Sequence, residues 1–303
     1  MLLTNNGVLT GYRLVENWPQ LAMGYAMGSP VGLGIDSRQH VFIFSRAGRQ
    51  WTDLVPMPSS FISGKTVMEV DNTTGQLLNS WRDHFFIMPH GLTVDRDDNI
   101  WVTDVGLHQV FKFTHEGKLL LTLGEARIAG NDTRHFNMPT GVAIAKDGSI
   151  YVSDGYGNSR IVHFSATGNY LSEWGKKGNG QGEFDIPHAI DLDDNGNVYV
   201  ADRENQRIQV FDANGKWLKI LADKNFGNLC AVVFDKERQR LVAVDDRIEM
   251  AIHHAGSDII VFDGTGRSFT RFGRSGRYEG PVCWYHDVAV DIVEVRSRAV
   301  GGK

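Results

Sequence analysis

Three histidines of this chain occupy equivalent positions in repeated stretches of sequence. His90 lies in "MPHGLTVD", His188 lies in "IPHAIDLD", and His286 begins "HDVAVD". Three neutral imidazoles are a common zinc-binding set, which leaves a fourth coordination position open for water or substrate. A single histidine beside a proline is more often a packing residue, so the repetition carries the argument. We therefore predict that these three histidines bind one zinc ion.

The elements that position these histidines are short β-strands, repeated along the chain. The clearest copies contain four β-rich runs separated by Asp, Asn and Gly turns, without a helical period between them. Six copies begin at equivalent positions, which are Val31, His90, Thr140, His188, Cys230 and His286. Their period of roughly 40–60 residues is typical of propeller blades. The sequence predicts an all-β, six-bladed β-propeller that occupies residues 1–303 as one domain.

The sixth copy is shorter than the others. After Asp291 the sequence ends with "IVEVRSRAVGGK", which is too short for the three further strands of a blade. The N-terminal "GYRLVENW" and the C-terminal "IVEVRSR" can each supply one strand, and this leaves one strand missing. We predict a sixth blade that is incomplete or is closed by the N-terminal strand.

The predicted ring places further polar residues near the histidines. The innermost strand of each blade lines the channel, and the histidines occupy alternate blades, so their side chains converge on the axis. Arg46 and Arg203 each follow the second strand of a blade, and Tyr156 lies at a neighbouring place in "SDGYGNSR". Planar guanidinium groups suit a carboxylate ligand. Arg203 precedes Glu204, with which it can pair instead, and we interpret Cys230 as a small channel residue.

Several motifs together resemble a known enzyme family. "MPHGLTVDRDDNIWVTDVGLHQVFKF", "VSDGYGNSRIV" and "VADRENQRIQVF" are similar to peptidyl-α-hydroxyglycine α-amidating lyase, and the similarity extends from about Val31 to Asp291. The resemblance implies a propeller of NHL-type repeats. It also implies a zinc-dependent lyase that cleaves the N–Cα bond of a peptidyl- or N-acyl-α-hydroxyglycine, producing an amide and glyoxylate.

The resemblance assigns roles to individual residues. The three zinc ligands of the family match His90, His188 and His286, its catalytic tyrosine matches Tyr156, and its two active-site arginines match Arg46 and Arg203. A structural calcium ion is implied as well. Its matching ligands are the backbone carbonyls of Leu33 and Leu92 and the carboxylate of Asp287, and oxygen ligands of this kind suit calcium.

The chain departs from the family in three respects. Gly157 stands where secreted animal members have a cysteine, and Trp284 stands where a methionine is expected. No copper monooxygenase sequence accompanies the repeats, so a separate monooxygenase is expected to supply the substrate. Two other functions remain open: a non-catalytic NHL-repeat binding scaffold, and a metal-dependent propeller enzyme such as a lactonase, another hydrolase or a lyase of cyclic peptide antibiotics.

Composition narrows the remaining classes of function. The net charge is −5, and no basic run suggests a nucleic-acid or membrane surface. No apolar run approaches the roughly 20 residues of a membrane span, and the first residues lack the pattern of a secretion signal. Two cysteines, Cys230 and Cys283, are too few for a disulfide scaffold. We expect a cytoplasmic protein, or a secreted one if a leader is missing, whose partner is a small molecule or peptide ending in α-hydroxyglycine.

Overall fold

Every regular element is a β-strand in the part of the protein that its computed structural model describes. That part comprises residues 2–5, 8–13, 15, 18–21, 27–50, 56–249, 254–263, 266, 269–273, 284–290 and 295–300. It contains no helix that is long and apolar enough to cross a membrane. The all-β class predicted from the sequence is confirmed.

The strands follow one another along the chain at short intervals. In chain order they are β1 (Leu2–Asn5), β2 (Val8–Arg13), β3 (Pro30–Ile35), β4 (Val41–Ser45), β5 (Val67–Val70), β6 (Leu77–Trp81), β7 (Pro89–Val94), β8 (Ile100–Asp104), β9 (Gln109–Phe113), β10 (Leu119–Leu123), β11 (Gly141–Ile144), β12 (Ile150–Asp154), β13 (Arg160–Phe164), β14 (Tyr170–Trp174), β15 (Pro187–Leu192), β16 (Val198–Asp202), β17 (Arg207–Phe211), β18 (Trp217–Ala222), β19 (Asn228–Asp235), β20 (Arg240–Glu249), β21 (His254–Phe262), β22 (Phe269–Gly273), β23 (Trp284–Val290) and β24 (Val295–Val300).

Five antiparallel sheets of four strands form complete propeller blades. They are β3–β6, β7–β10, β11–β14, β15–β18 and β19–β22, and in each sheet the strands pair in sequence order. The second strands of the first four blades are buried along their whole length, whereas the outer strands β10, β14 and β18 are largely exposed. Burial on both faces explains why a second strand such as "IYVSD" is nearly continuously apolar.

A two-stranded sheet lies between the fifth and first blades. Strand β23 pairs with β24 and packs against β19 on one side and β3 on the other. Hydrogen bonds fix it in this place, because the amide of Tyr285 donates to Ser257 and the amide of Leu33 donates to Asp287. The propeller is confirmed, but five complete blades are present in the described residues, so the predicted count of six is not confirmed.

In the described residues the N-terminal strand β2 pairs with β1 in a separate hairpin, and neither strand joins the sheet of β23 and β24. The predicted closure of the sixth blade by the N-terminal strand is therefore not seen in this part of the chain. The C-terminal "IVEVRSR" does supply a strand, since β24 begins within it.

Arg207 fixes the loop that precedes the strand of His188. Its Nε atom donates to the buried carboxylate of Asp202, and its two Nη atoms donate to the carbonyls of Asn179, Gly180 and Glu183 at 2.7–2.9 Å. Arg207 is 9% exposed and Asp202 is fully buried. Arg207 therefore neutralises the buried carboxylate of Asp202 and also orders the loop through its three carbonyl contacts.

Replacing Arg207 by alanine should lower the free energy of unfolding by about 3–5 kcal/mol, since it leaves the buried carboxylate of Asp202 without its cation. Equilibrium unfolding in urea measures the change. Arg134→Ala is the matched control, because Arg134 is exposed, and its effect should stay within about 0.5 kcal/mol. Equal stabilities of the two variants would contradict the assigned role.

Candidate active site

The structure brings the three predicted histidines together at the axis of the propeller. One ring nitrogen of each lies within 4.8 Å of those of the other two. The ring centroids are 4.7 Å apart for His90 and His188, 4.7 Å for His90 and His286, and 5.1 Å for His188 and His286, and the rings meet edge to face. The three imidazoles thus surround one point, as the repeat alignment predicted.

The other nitrogen of each ring is held by the neighbouring blade. Nδ1 of His90 contacts the carbonyl of Thr140, Nδ1 of His188 contacts that of Cys230, and Nδ1 of His286 contacts that of Val31, at 2.6–2.7 Å. Because a carbonyl can only accept, each Nδ1 carries the proton and donates it. Each Nε2 therefore presents a lone pair, as is usual for histidines that bind metals.

Tyr156 lies against two of these lone pairs. Its hydroxyl oxygen is 3.0 Å from Nε2 of His90 and 2.8 Å from Nε2 of His188. One hydroxyl proton can serve only one of the two nitrogens at a time. The converging lone pairs of three imidazoles are the ligand set that a zinc ion accepts.

The imidazoles are kept neutral by their surroundings. Burial lowers the pKa of His286 to about 3, and the positive charge of Arg46 acts in the same direction. Burial also lowers the pKa values of His90 and His188, and in both cases the charge of His286 adds to the effect. Neutral imidazole is the form that coordinates a metal ion, so the site is ready to bind one at neutral pH.

Both predicted arginines act electrostatically on the tyrosine. Arg46 is buried and donates from Nε to the carbonyl of Pro89 at 3.0 Å; burial lowers its pKa to about 10, so it stays charged at neutral pH. Arg203 is partly exposed and pairs with Glu204 at 2.7 Å, which confirms the ion pair suggested by the sequence. Burial raises the pKa of Tyr156, and the charges of Arg203 and Arg46 oppose that increase.

A recurring aspartate fixes the loops before the strands of His90 and His188. Asp104 accepts the amides of Ile87 and Met88 at 2.8–3.1 Å, and Asp202 accepts the amide of Asp185 at 2.7 Å. Burial raises the pKa of Asp104 to about 6. These aspartates end the second strands of their blades, and their repetition along the sequence is the signal for this positioning role.

Two glycines place the loop of Tyr156. A Cβ atom on Gly155 would lie 2.1 Å from the carbonyl oxygen of Pro187, so only glycine allows this approach to the strand of His188. A Cβ atom on Gly157 would lie 2.1 Å from the side chain of Asn137. Asn137 thus fills the space that a cysteine at position 157 would need.

The three predicted calcium ligands line the cavity beside the histidines. Leu33, Leu92 and Asp287 border a space of about 350 Å³, together with the three imidazoles. The carboxylate of Asp287 accepts the amides of Leu33 and Val288, both at 2.8 Å. Burial raises the pKa of Asp287 to about 7, so a cation at this place would stabilise its charged form.

Several other predictions meet different outcomes. Cys230 is buried and free, and its sulfur lies 2.9 Å from Asp246. The side chain of Trp284 and the whole of Cys283 lie outside the described residues. The sequence places the other eight histidines on turns or outer strands, where a solvated side chain is the default expectation. That expectation is wrong for His115 and His163. The first is largely buried among acidic groups, and the second stacks on Tyr151 at 4.1 Å between ring centroids.

Comparisons with known proteins agree with this geometry. The NHL repeat matches residues 86–113, 136–164 and 184–211. A solved streptogramin B lyase shares the fold at 16% identity, with a TM-score of 0.60 over 91% of this chain and 78% of that chain. Peptidyl-glycine alpha-amidating monooxygenase B of Xenopus laevis is 40% identical over 228 residues, which are 70% of this chain and 26% of that protein.

A relative from Drosophila melanogaster is covered over most of its length and identifies the family of this chain. Peptidyl-alpha-hydroxyglycine alpha-amidating lyase 2 of Drosophila melanogaster is 32% identical over 296 residues, which cover 92% of this chain and 69% of the fly protein. The chain belongs to the peptidyl-α-hydroxyglycine α-amidating lyase family. It spans only about a quarter of the length of the Xenopus monooxygenase. As a member of the lyase family, it carries the histidines, tyrosine and arginines of the predicted site in one cluster.

Proposed function

We propose that the protein is a zinc-dependent lyase that cleaves the N–Cα bond of a peptidyl- or N-acyl-α-hydroxyglycine to an amide and glyoxylate. The observation that carries the proposal is the set of three neutral imidazoles that surround one point, with the hydroxyl of Tyr156 beside Nε2 of His90 and of His188. A binding scaffold has no need of buried imidazole lone pairs, and imidazoles suit zinc better than the calcium-like ions of propeller lactonases.

His90, His188 and His286 would hold the zinc ion through Nε2. When bound, zinc lowers the pKa of a hydroxyl group that coordinates it. The carbonyls of Thr140, Cys230 and Val31 keep the rings in the required tautomer and orientation. Such partners of the ligands strongly influence metal affinity, so the blades themselves prepare the site.

Tyr156 accepts and returns the proton in the proposed reaction. It takes the proton of the α-hydroxyl group, whose oxygen becomes the aldehyde oxygen of glyoxylate. The electron pair of the N–Cα bond passes to the amide nitrogen, which then receives the proton. The nearby positive charges of Arg203 and Arg46 favour the phenolate form that the first step needs, against the opposing effect of burial.

The two arginines also suit the carboxylate at the end of the substrate. Arg46 is buried beside Tyr156, where a charged group without solvent is a strong partner for an anion. We assign the clamping of the terminal carboxylate to Arg46. Arg203 is more exposed than Arg46, and we assign it the role of holding Tyr156 or the glyoxylate as it forms.

Three structural expectations complete the proposal. A calcium ion held by the carbonyls of Leu33 and Leu92 and the carboxylate of Asp287 would stabilise the inner strands around the site. Strands β23 and β24 would form a shortened sixth blade, because β23 lies in the ring between β19 and β3. The whole chain would then be one propeller domain.

The substrate would come from a separate monooxygenase that hydroxylates the α-carbon of a C-terminal glycine. Several relatives are named peptidyl-glycine alpha-amidating monooxygenase, and this chain matches only 24–26% of their length. An N-acyl-α-hydroxyglycine presents the same reacting end as a peptide, so both belong to the proposed substrate class.

Glyoxylate release from a synthetic peptide ending in α-hydroxyglycine should be readily measured with the purified protein. A panel of acyl groups before the hydroxyglycine should differ mainly in KM, because the reacting end is the same in all of them. The same peptide ending in glycine is the control, since it lacks the hydroxyl proton that Tyr156 takes. No release above the uncatalysed rate from any member of the panel would refute the function.

A further inference from the structure

A second cluster of metal-ligating side chains lies near β3, the inner strand of the first blade. It is at the C-terminal end of that strand, away from the active site. It consists of Asp36, His40, Glu69 and His115, each of which has one ligand atom within 4.8 Å of those of the others. Nε2 of His115 lies 3.1 Å from Asp36 and 3.4 Å from Glu69, and Nδ1 of His40 lies 2.8 Å from Glu69. The cluster joins two blades, because His115 follows β9 of the second blade.

The same place in the second blade contains a cation from the chain itself. The turn from Asp95 to Asn99 is equivalent to the turn from Asp36 to His40. In both turns the amide of the aspartate donates to the carbonyl of the residue four positions later. Lys112 pairs with Asp95 at 3.3 Å. By strand register, Glu69 is the equivalent of Lys112, because each lies opposite the second residue of the blade's second strand. The first blade has thus replaced a cation by an anion.

His115 is also specific to this junction. The turns after β9, β13 and β17 share one backbone hydrogen bond, from Thr114 to Lys118 and its equivalents, and this aligns His115 with Ala166 and Ala213. Two later blades therefore place alanine where the second blade directs an imidazole at its neighbour. The two departures from the repeat pattern, Glu69 and His115, are thus residues whose side chains contact each other.

Two carboxylates of the cluster are buried, which favours a cation beside them. The carboxylates of Asp36 and Glu69 are almost inaccessible, with side chains 0% and 7% exposed. One oxygen of Asp36 already accepts the amides of Arg38 and His40, which leaves the other for the cluster. Nε2 of His115 faces oxygens of both Asp36 and Glu69, and a single proton on it can serve only one of them at a time. A divalent cation can be bound by all four side chains at once.

In the described residues, Arg38 is the only arginine or lysine whose side chain contacts this cluster, and it is poorly suited to the role. Its side chain is 53% exposed and contacts Asp36 from the edge, at 3.3 Å. No contact joins it to Glu69 in the described part of the chain. An exposed arginine of this kind contributes little to stability, and it can turn out to solvent when another cation enters.

We propose that Asp36, His40, Glu69 and His115 form a second site for a divalent cation of the zinc class, which joins the turns of the first two blades. Two imidazoles and two carboxylates are ligands that zinc accepts, and four protein ligands leave no open position, which is typical of a structural site. A cation that binds only the folded protein stabilises it in proportion to the logarithm of its concentration. The site would therefore stabilise the propeller without taking part in the reaction.

The test uses the full chain in a His188→Ala background, in which the active-site histidines are disabled. After chelation and reloading with zinc chloride, this protein should retain about one zinc per chain. Adding His115→Ala should weaken zinc binding by more than about 100-fold, since even the outer partners of ligands change affinity by about 10–100-fold. It should also abolish the rise in Tm that zinc produces.

Two further variants keep the result interpretable. His84→Ala in the same background removes an exposed histidine and should leave both zinc content and the rise in Tm unchanged. Glu69→Lys gives the first blade an ion pair with Asp36 like that of Lys112 with Asp95 in the second blade. This variant should be folded, as measured by circular dichroism, and should no longer bind zinc at this site. The proposal is overturned if the His188→Ala protein binds no zinc while His115 is intact, or if His115→Ala or Glu69→Lys binds zinc as that protein does. These outcomes are independent of lyase activity.

Discussion

Replacing Tyr156 by phenylalanine should reduce kcat for glyoxylate release by about 10²–10⁴-fold, the usual contribution of a positioned general base. The change removes the hydroxyl that lies 3.0 Å from His90 and 2.8 Å from His188 and leaves the ring in place. Because substrate binding is assigned to the arginines, KM should change little. Glyoxylate release over a range of substrate concentrations separates the two constants.

A matched control comes from the same blade. Tyr151→Phe also removes a hydroxyl from a buried tyrosine, which donates to the carbonyl of Ala213 at 2.9 Å away from the histidines. It should retain nearly full kcat, whereas Tyr156→Phe should retain its zinc but not its activity. A Tyr156→Phe protein with unaltered kcat would show that another group takes the hydroxyl proton.

The convergence of the histidines was predictable because a repeat turns sequence position into spatial position. His90, His188 and His286 occupy the same position in their repeats, so the sequence alignment alone predicts that they lie at one level of the channel. The same argument placed Arg46 and Arg203 after equivalent strands, and both lie beside Tyr156 in the structure. Local pattern was sufficient here, because propeller geometry is set by the repeat.

Contacts between blades could not be predicted in this way. The carbonyls that hold Nδ1 of the histidines belong to neighbouring strands, and no motif specifies a carbonyl. His115 looked like a solvated turn residue because its partners, Asp36 and Glu69, lie in another blade. The pairing of β2 with β1 was missed for a similar reason, since either edge could satisfy its backbone groups. Where several partners are compatible with one pattern, only the assembled structure selects among them.

Replacing His188 by alanine should remove about one zinc ion per chain and lower kcat/KM by at least about 10³-fold. The active-site zinc would lose one of its three protein ligands, and metal-ion catalysis contributes several kcal/mol of transition-state stabilisation, at about 1.4 kcal/mol for each tenfold in rate. The fold should survive, because the strand of His188 is held by Arg207 and Asp202 rather than by the imidazole. Elemental analysis of the purified protein measures the zinc, and the glyoxylate assay measures the rate.

The two site variants together separate the roles of metal and base. His188→Ala should lose the active-site zinc ion together with the activity, because only two of the three imidazole ligands remain. Tyr156→Phe should not respond to added zinc, since it lacks the proton acceptor rather than the metal. His84→Ala, which alters an exposed histidine, should match the unmodified chain in both measurements. If His188→Ala kept its full zinc content, the metal would have to lie elsewhere than among the three imidazoles, and Tyr156 would lose its proposed zinc neighbour.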